Sequence, residues 1–203
     1  KESLEKLALN DSSFTYEGET SSALGLGFRC GFLGLLHMSI IQERLEREFQ
    51  LNLISTAPSV GYKVVLLDGE VIEIDNPSEL GDQKQYECIK EPFVAVSIHV
   101  PNEFVGAIIK LCESRRGRQM EIRYITEERV QIIYDLPLSE MVFDFYDKLK
   151  GTTRGYASMD YEFKGYEESD LVKVDILLNG DKVDALSLIC HRSTSYFKGR
   201  DLT

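Results

Sequence analysis

Hydrophobic residues recur with two different periods along this chain, and each change of period marks an element. At 34–50, Met38, Ile41, Leu45 and Phe49 fall three to four residues apart, while Gln42, Glu43, Glu46 and Arg47 take the opposite side. That is the stripe of an amphipathic helix. Before it, 2–9 reads as a short helix stopped by Asn10-Asp11-Ser12-Ser13, and 14–17 alternates apolar and polar as a strand does. The Gly-rich 25–32 suits a second strand paired with the first. Strand character returns over 52–67, and Asp68-Gly69 is a tight-turn signal feeding 70–74.

Residues 76–90 combine Pro77, Gly81 and several charges with few apolar positions, which reads as a linker. Beyond it the pattern is clearer. Residues 93–100 alternate as a strand, Asn102 is placed to cap a helix, and Phe104, Val105, Ile108, Ile109 and Cys112 recur at helical spacing. Residues 120–125 and 129–134 form two strands across a Thr-Glu-Glu turn. Ser139 is expected to cap a helix striped by Val142, Phe145 and Leu149, with Gly151 at its C-terminal end, and 156–163 is the last strand. The order β-α-β-β-α-β is the ferredoxin-like unit. The first segment has the same order without its first strand.

The expected fold class is therefore α+β, two tandem ferredoxin-like domains with antiparallel sheets. The boundaries are 1–75 for the first domain, 76–90 for the linker and 91–168 for the second. At 169–203, Asn179-Gly180 between apolar runs predicts a hairpin that begins a further C-terminal element.

Composition adds constraints of its own. The chain has 203 residues, 43% of them hydrophobic, enough for a core without disulfide staples. Against 34 Asp and Glu stand 23 Lys and Arg, a net charge of −11 that opposes coating of nucleic acid by bulk electrostatics. The first 90 residues carry 8 basic and 15 acidic residues, the remainder 15 and 19, with the later cations gathered at 110–129 and in the last dozen residues. Local basic patches thus remain available. Cys30, Cys88, Cys112 and Cys190 form no C-x-x-C pair, as expected of reduced cysteines in the cytosol. No apolar run approaches the roughly 18–20 residues of a membrane span. Lys1 opens the chain inside a charged, helix-like stretch, which reads as a piece of a longer protein.

Catalytic chemistry is not apparent. There is no G-x-x-x-x-G-K-[ST], G-x-S-x-G or H-E-x-x-H, and no Cys/His spacing for a metal. His37 reads as a hydrogen-bonded structural histidine, and Cys190-His191 would point to opposite faces of a strand. Three segments stand out instead. Gly25 to Gly34 surrounds Arg29 with glycines and contains Gly31-Phe32-Leu33-Gly34, a formal match to the GXXG of a KH domain that also suits a packed junction. Arg115-Arg116-Gly117-Arg118 follows a helix, where cations offset the dipole; three arginines exceed that need and equally suit phosphate. Arg154, Gly155, Tyr156, Ala157 and Tyr161 match the RNP1 motif of an RRM, but after the second helix rather than before it.

Residues 27–38 and 40–48 resemble the third domain of the elongation factor 4 (LepA) family of ribosome-dependent translational GTPases. Pro137-Leu-Ser-Glu140 and Thr152-Thr-Arg-Gly-Tyr-Ala-Ser158 are similar to the fifth domain shared with elongation factor G. Glu168 to Lys173, Leu177 to Gly180 and Asp184 to Ser187 look like the start of that family's C-terminal domain. The resemblance implies a docking region for ribosome and tRNA, serving one-codon backward translocation and translational fidelity. GTP and magnesium would belong to a domain outside these residues, with no cofactor, metal or catalytic residue here. It further implies a monomer in the cytoplasm, with peripheral attachment at the cytoplasmic face of the membrane. The candidate ribosome and tRNA contacts are Arg29, Arg115, Arg116, Arg118, Arg154, His191, Arg192, Lys198 and Arg200. The rival expectations are another ribosomal GTPase, such as BipA or a ribosomal protection protein, and a ferredoxin-like module binding a small regulatory ligand.

Overall fold

The computed structural model describes residues 1–21, 25–56, 59–80, 86–142, 144–183 and 186–201. In chain order the elements are α1 (Glu2–Asn10), β1 (Thr15–Ser21), β2 (Gly25–Gly31), α2 (Leu35–Arg47), β3 (Tyr62–Leu66), β4 (Val71–Ile74), β5 (Tyr86–Pro101), α3 (Val105–Ser114), β6 (Arg118–Tyr124) and β7 (Arg129–Pro137). There follow α4 (Leu138–Met141), α5 (Phe145–Thr152), β8 (Ser158–Ser169), β9 (Leu171–Val174), β10 (Leu177–Leu178), β11 (Asp181–Lys182), β12 (Leu188–His191) and α6 (Ser195–Asp201). The chain divides into two units, one of Lys1–Ala57 with Asp175–Ser187 and one of Pro58–Val174 with Leu188–Thr203.

In the first unit β1 and β2 pair antiparallel from Thr15 opposite Gly31 to Ser21 opposite Gly25. Leu4, Leu7, Phe14, Ile41 and Leu45 form its core, so the stripe expected at 34–50 does face inward. His37 is structural, as expected. Its Nδ1 accepts from the Leu33 N–H at 2.9 Å, which leaves Nε2 to donate to Asp11 Oδ2 at 2.7 Å. That bond holds the Asp11 carboxyl below its ordinary value. The strand expected over 52–67 begins only at Tyr62; 51–56 has no strand partner. A last strand in this topology pairs with the first, as β8 does with β5 in the other unit, and among the described residues of the first unit there is no such strand. Asn179 and Gly180 both take positive φ between β10 and β11, the two-residue hairpin turn that Asn-Gly favours.

The second unit is built on β5. Its neighbours give the order β8-β5-β7-β6, with β3 and β4 extending the sheet past the end of β7. Along β5 the period is two: Val94, Val96, Ile98 and Val100 are buried under the helices, and Ala95, Ser97 and His99 lie on the other face. Ile108 and Cys112 of α3 and Phe145 and Leu149 of α5 close this core. A second cluster joins Tyr62, Val64 and Ile74 to Leu171 of β9 and Ile189 of β12.

This pairing divides the chain elsewhere than at 76–90. Residues 86–90 are strand, and β3, expected in the first domain, hydrogen-bonds to them. The charges of Glu87, Lys90 and Glu91 masked a continuous strand in which Ile89 is buried; 81–85 lie outside the described residues. Helix starts differ too. Asn102 opens a short 3₁₀ turn, Phe104 is the N-cap of α3, and Ser139 lies inside α4. Of the C-terminal segment, β9, β12 and α6 belong to the second unit, while residues 184–185 are outside those described.

Candidate nucleic-acid interface

Arg115-Arg116-Gly117-Arg118 closes α3 in a Schellman turn. The Gly117 N–H donates to Cys112 O at 2.8 Å and the Arg116 N–H to Glu113 O at 3.1 Å. This puts Arg116 at the left-handed position, φ 58°, where glycine is usual. Gly117 follows because a Cβ there would lie 2.7 Å from both Cys112 O and Leu136 Cδ2. The arginines then turn onto carboxylates. Arg116 Nη1 and Nη2 donate to Glu91 Oε1 and Oε2 at 2.7 and 2.8 Å, and its Nε reaches Glu140 at 3.4 Å. Glu91 is fully buried and also accepts from Ser139 Oγ at 3.2 Å. Burial would push its carboxyl up, but the Arg116 bonds outweigh it and hold it below the ordinary range. Arg115 pairs with Asp144 at 2.5 Å. Arg118 grips Glu167 at 2.7 and 2.8 Å with its guanidinium 4.8 Å from the Phe93 ring centroid. The loop expected to offer arginines to phosphate spends them on the fold.

The helix of the other half ends in the same way. The Gly155 N–H donates to Lys150 O at 2.8 Å and the Arg154 N–H to Gly151 O at 3.4 Å, so Arg154 occupies the equivalent left-handed position at φ 52°. Gly151, expected at the helix end, is inside α5. Thr153, fully buried, donates from Oγ1 to Leu149 O at 2.8 Å and accepts the Ala157 N–H at 3.1 Å. Lys150 Nζ donates to Ala157 O at 2.6 Å. Here Arg154 is exposed and has no carboxylate partner among the described residues. Tyr156 beside it is 66% exposed and stacks on Phe104, centroids 6.4 Å apart at 19°.

The remaining candidates are scattered. Arg29 sits across β1 from Glu19 at 2.9 Å and Glu17 at 3.7 Å. Arg192 Nε holds both Asp170 oxygens at 3.0 Å, and Lys198 reaches Glu140 at 2.9 Å. His191 Nδ1 lies 2.8 Å from Ser193 Oγ, and burial raises the neighbouring Cys190 thiol, so the two form no reactive pair. The Arg200 guanidinium lies 5.6 Å from the Phe197 ring centroid. In the KH-like Gly31-Phe32-Leu33-Gly34, Phe32 packs against Phe14 at 5.7 Å and His37 at 5.9 Å, whereas Leu33, expected to pack, is exposed. The RNP1-like residues do not line the open face of the sheet as in an RRM: by register Tyr161 shares the helix side with Val96, the central open face carries Ala95, Ser97, Gln131 and Ile133, and Tyr156 precedes the strand.

The family described as elongation factor G C-terminus matches residues 88–177, the stretch that holds both corners. Over 202 residues, the whole of this chain, 59% are identical to elongation factor 4 of Halalkalibacterium halodurans, and over 200 residues 59% to that of Shouchella clausii. The chain belongs to the elongation factor 4 family. It spans about a third, 33%, of the length of these curated relatives. Membership in this family sets aside the other ribosomal GTPases and the small-ligand module. Among the described residues, no group of His, Cys, Asp and Glu is placed to hold a metal and no helix is long and apolar enough to cross a membrane. With no phosphate-cradling loop in the sequence either, the residues present do not fit GTP with magnesium.

The two corners predict opposite responses to one substitution. Arg116→Gly strands the buried Glu91 and should cost about 3 kcal/mol of second-unit stability. Arg154→Gly relieves a left-handed arginine and should be neutral or stabilising by up to about 1 kcal/mol. Urea unfolding followed by circular dichroism checks both; equal losses would contradict the contrast. Glu91 also sets a pH dependence. Its folded value is depressed, so its stabilisation is present above the ordinary value of 4.5 and lost as pH falls through the folded value. Glu91→Gln should therefore be less stable than the parent at neutral pH, and the gap should close on acidification below 4.5. A gap independent of pH would show that the charge of Glu91 is not what matters.

Proposed function

We propose that this chain is the ribosome-contacting portion of a translation factor that moves tRNA one codon backward on stalled or wrongly advanced ribosomes. What carries the reading is 59% identity to elongation factor 4 across the whole chain. GTP hydrolysis, with its magnesium, belongs to a domain outside these residues. The work left to this portion is to hold ribosome and tRNA in one relative position, which suits rigid ferredoxin-like sheets better than new catalytic groups. Residues 27–48 of the first unit and 137–158 of the second serve as counterparts of parts of the third and fifth domains. The C-terminal segment, with Arg192, Lys198 and Arg200 beside the exposed Tyr196 and Phe197, is turned toward tRNA. The protein acts as a monomer in the cytoplasm. Peripheral attachment at the cytoplasmic face of the membrane belongs to the same reading and rests on the family resemblance alone.

The test uses the full-length factor and ribosomes. Deleting the stretch that corresponds to 1–203 should abolish co-sedimentation with ribosomes while leaving GTP binding intact. Undiminished co-sedimentation of the deletion would contradict the reading.

A further inference from the structure

We infer that the corner Arg154-Gly155-Tyr156 is an RNA-binding site taking one phosphate and one unstacked base from a looped or single-stranded segment. This rests on the ribosome-contacting reading above and names where in the second unit the contact is made. The second unit has two corners of one design. Each ends a helix in a Schellman turn, and each puts arginine followed by glycine where the chain turns left-handed. A non-glycine residue is strained at such a position. At Arg116 the bidentate bond to Glu91 offsets that strain. At Arg154 no ion pair among the described residues does so, and glycine there would serve the fold better. An outlier that stability does not explain points to a ligand.

The corner is built to receive one. Thr153 and Lys150 pin its backbone from beneath, through Leu149 O, Ala157 N and Ala157 O, so little order remains to be imposed on binding. A Cβ placed on Gly155 would meet nothing within 4 Å, which leaves the turn open to close approach by a ligand backbone. Tyr156 has one ring face on Phe104 and stays 66% exposed, leaving its other face for a stacked base. An exposed arginine and an open aromatic face two residues apart on one turn suit a phosphate and a base of the same segment. Because these 203 residues carry a net charge of −11 and repel RNA in bulk, such a contact binds at this point and not along their surface.

The test measures binding of the full-length factor to ribosomes over a range of salt. Arg154→Gly, which preserves the turn, should weaken binding severalfold and make the salt slope shallower by about one. Tyr156→Ala should weaken binding by about tenfold and Tyr156→Phe should not, since stacking needs only the ring. A photo-crosslinking amino acid at Tyr156 should label ribosomal RNA. Crosslinking to ribosomal protein alone would overturn the RNA assignment. Unchanged binding of both Arg154→Gly and Tyr156→Ala, with the parent binding normally, would overturn this inference and leave the broader reading standing. Failure of the parent to bind ribosomes would overturn both.

Discussion

A carboxylate shut off from water must be answered by opposite charge, and Glu91 imposes that condition on the second unit. Leaving it unpaired would cost several kcal/mol. Arg116 meets it with two hydrogen bonds, which requires α3 to end where it does and Arg116 to accept a left-handed backbone. Glu140 on α4 then shares Arg116 and draws in Arg115 and Lys198. Two buried acids, Glu91 and Glu140, thereby fasten β5, the end of α3, the start of α4 and the C-terminal α6.

The ferredoxin-like unit uses its helix-ending turn twice, for different ends. At the α3 corner the arginine faces inward and the glycine behind it has no room for a side chain. At the α5 corner the arginine faces water and the glycine behind it is open. Both corners have the same hydrogen-bond pattern, so the difference lies in what each arginine meets. A buried partner makes one a structural pin; the other has no carboxylate partner among the described residues.

Much of this architecture was legible along the chain. The period of two at Val94, Val96, Ile98 and Val100 and the helical spacing of Ile108 and Cys112 were enough to order the second unit. The match of Thr152 to Ser158 with a known domain agreed with that order. Three things were not legible. The charges at 87–91 concealed a strand, because a buried ion pair has the same composition as an exposed linker. Ser139 looked like a cap, yet it donates to Glu91. Arg115-Arg116-Gly117-Arg118 looked more basic than Arg154-Gly155, because its partners Glu91, Glu140, Asp144 and Glu167 lie distant in sequence. Only the fold brings them together, while Arg154 has no carboxylate partner among the described residues.

The division between a paired corner and a free one is tested most directly by asking which corner lies against RNA on the ribosome. An iron–EDTA group tethered at Ser158→Cys, next to the free corner, can be compared with one at Ser114→Cys, next to the paired corner. The full-length factor would carry alanine at Cys30 and Cys88, the two half-buried native thiols. Strand scission of ribosomal RNA from Ser158→Cys alone is the predicted result. Scission from Ser114→Cys with none from Ser158→Cys would contradict the account.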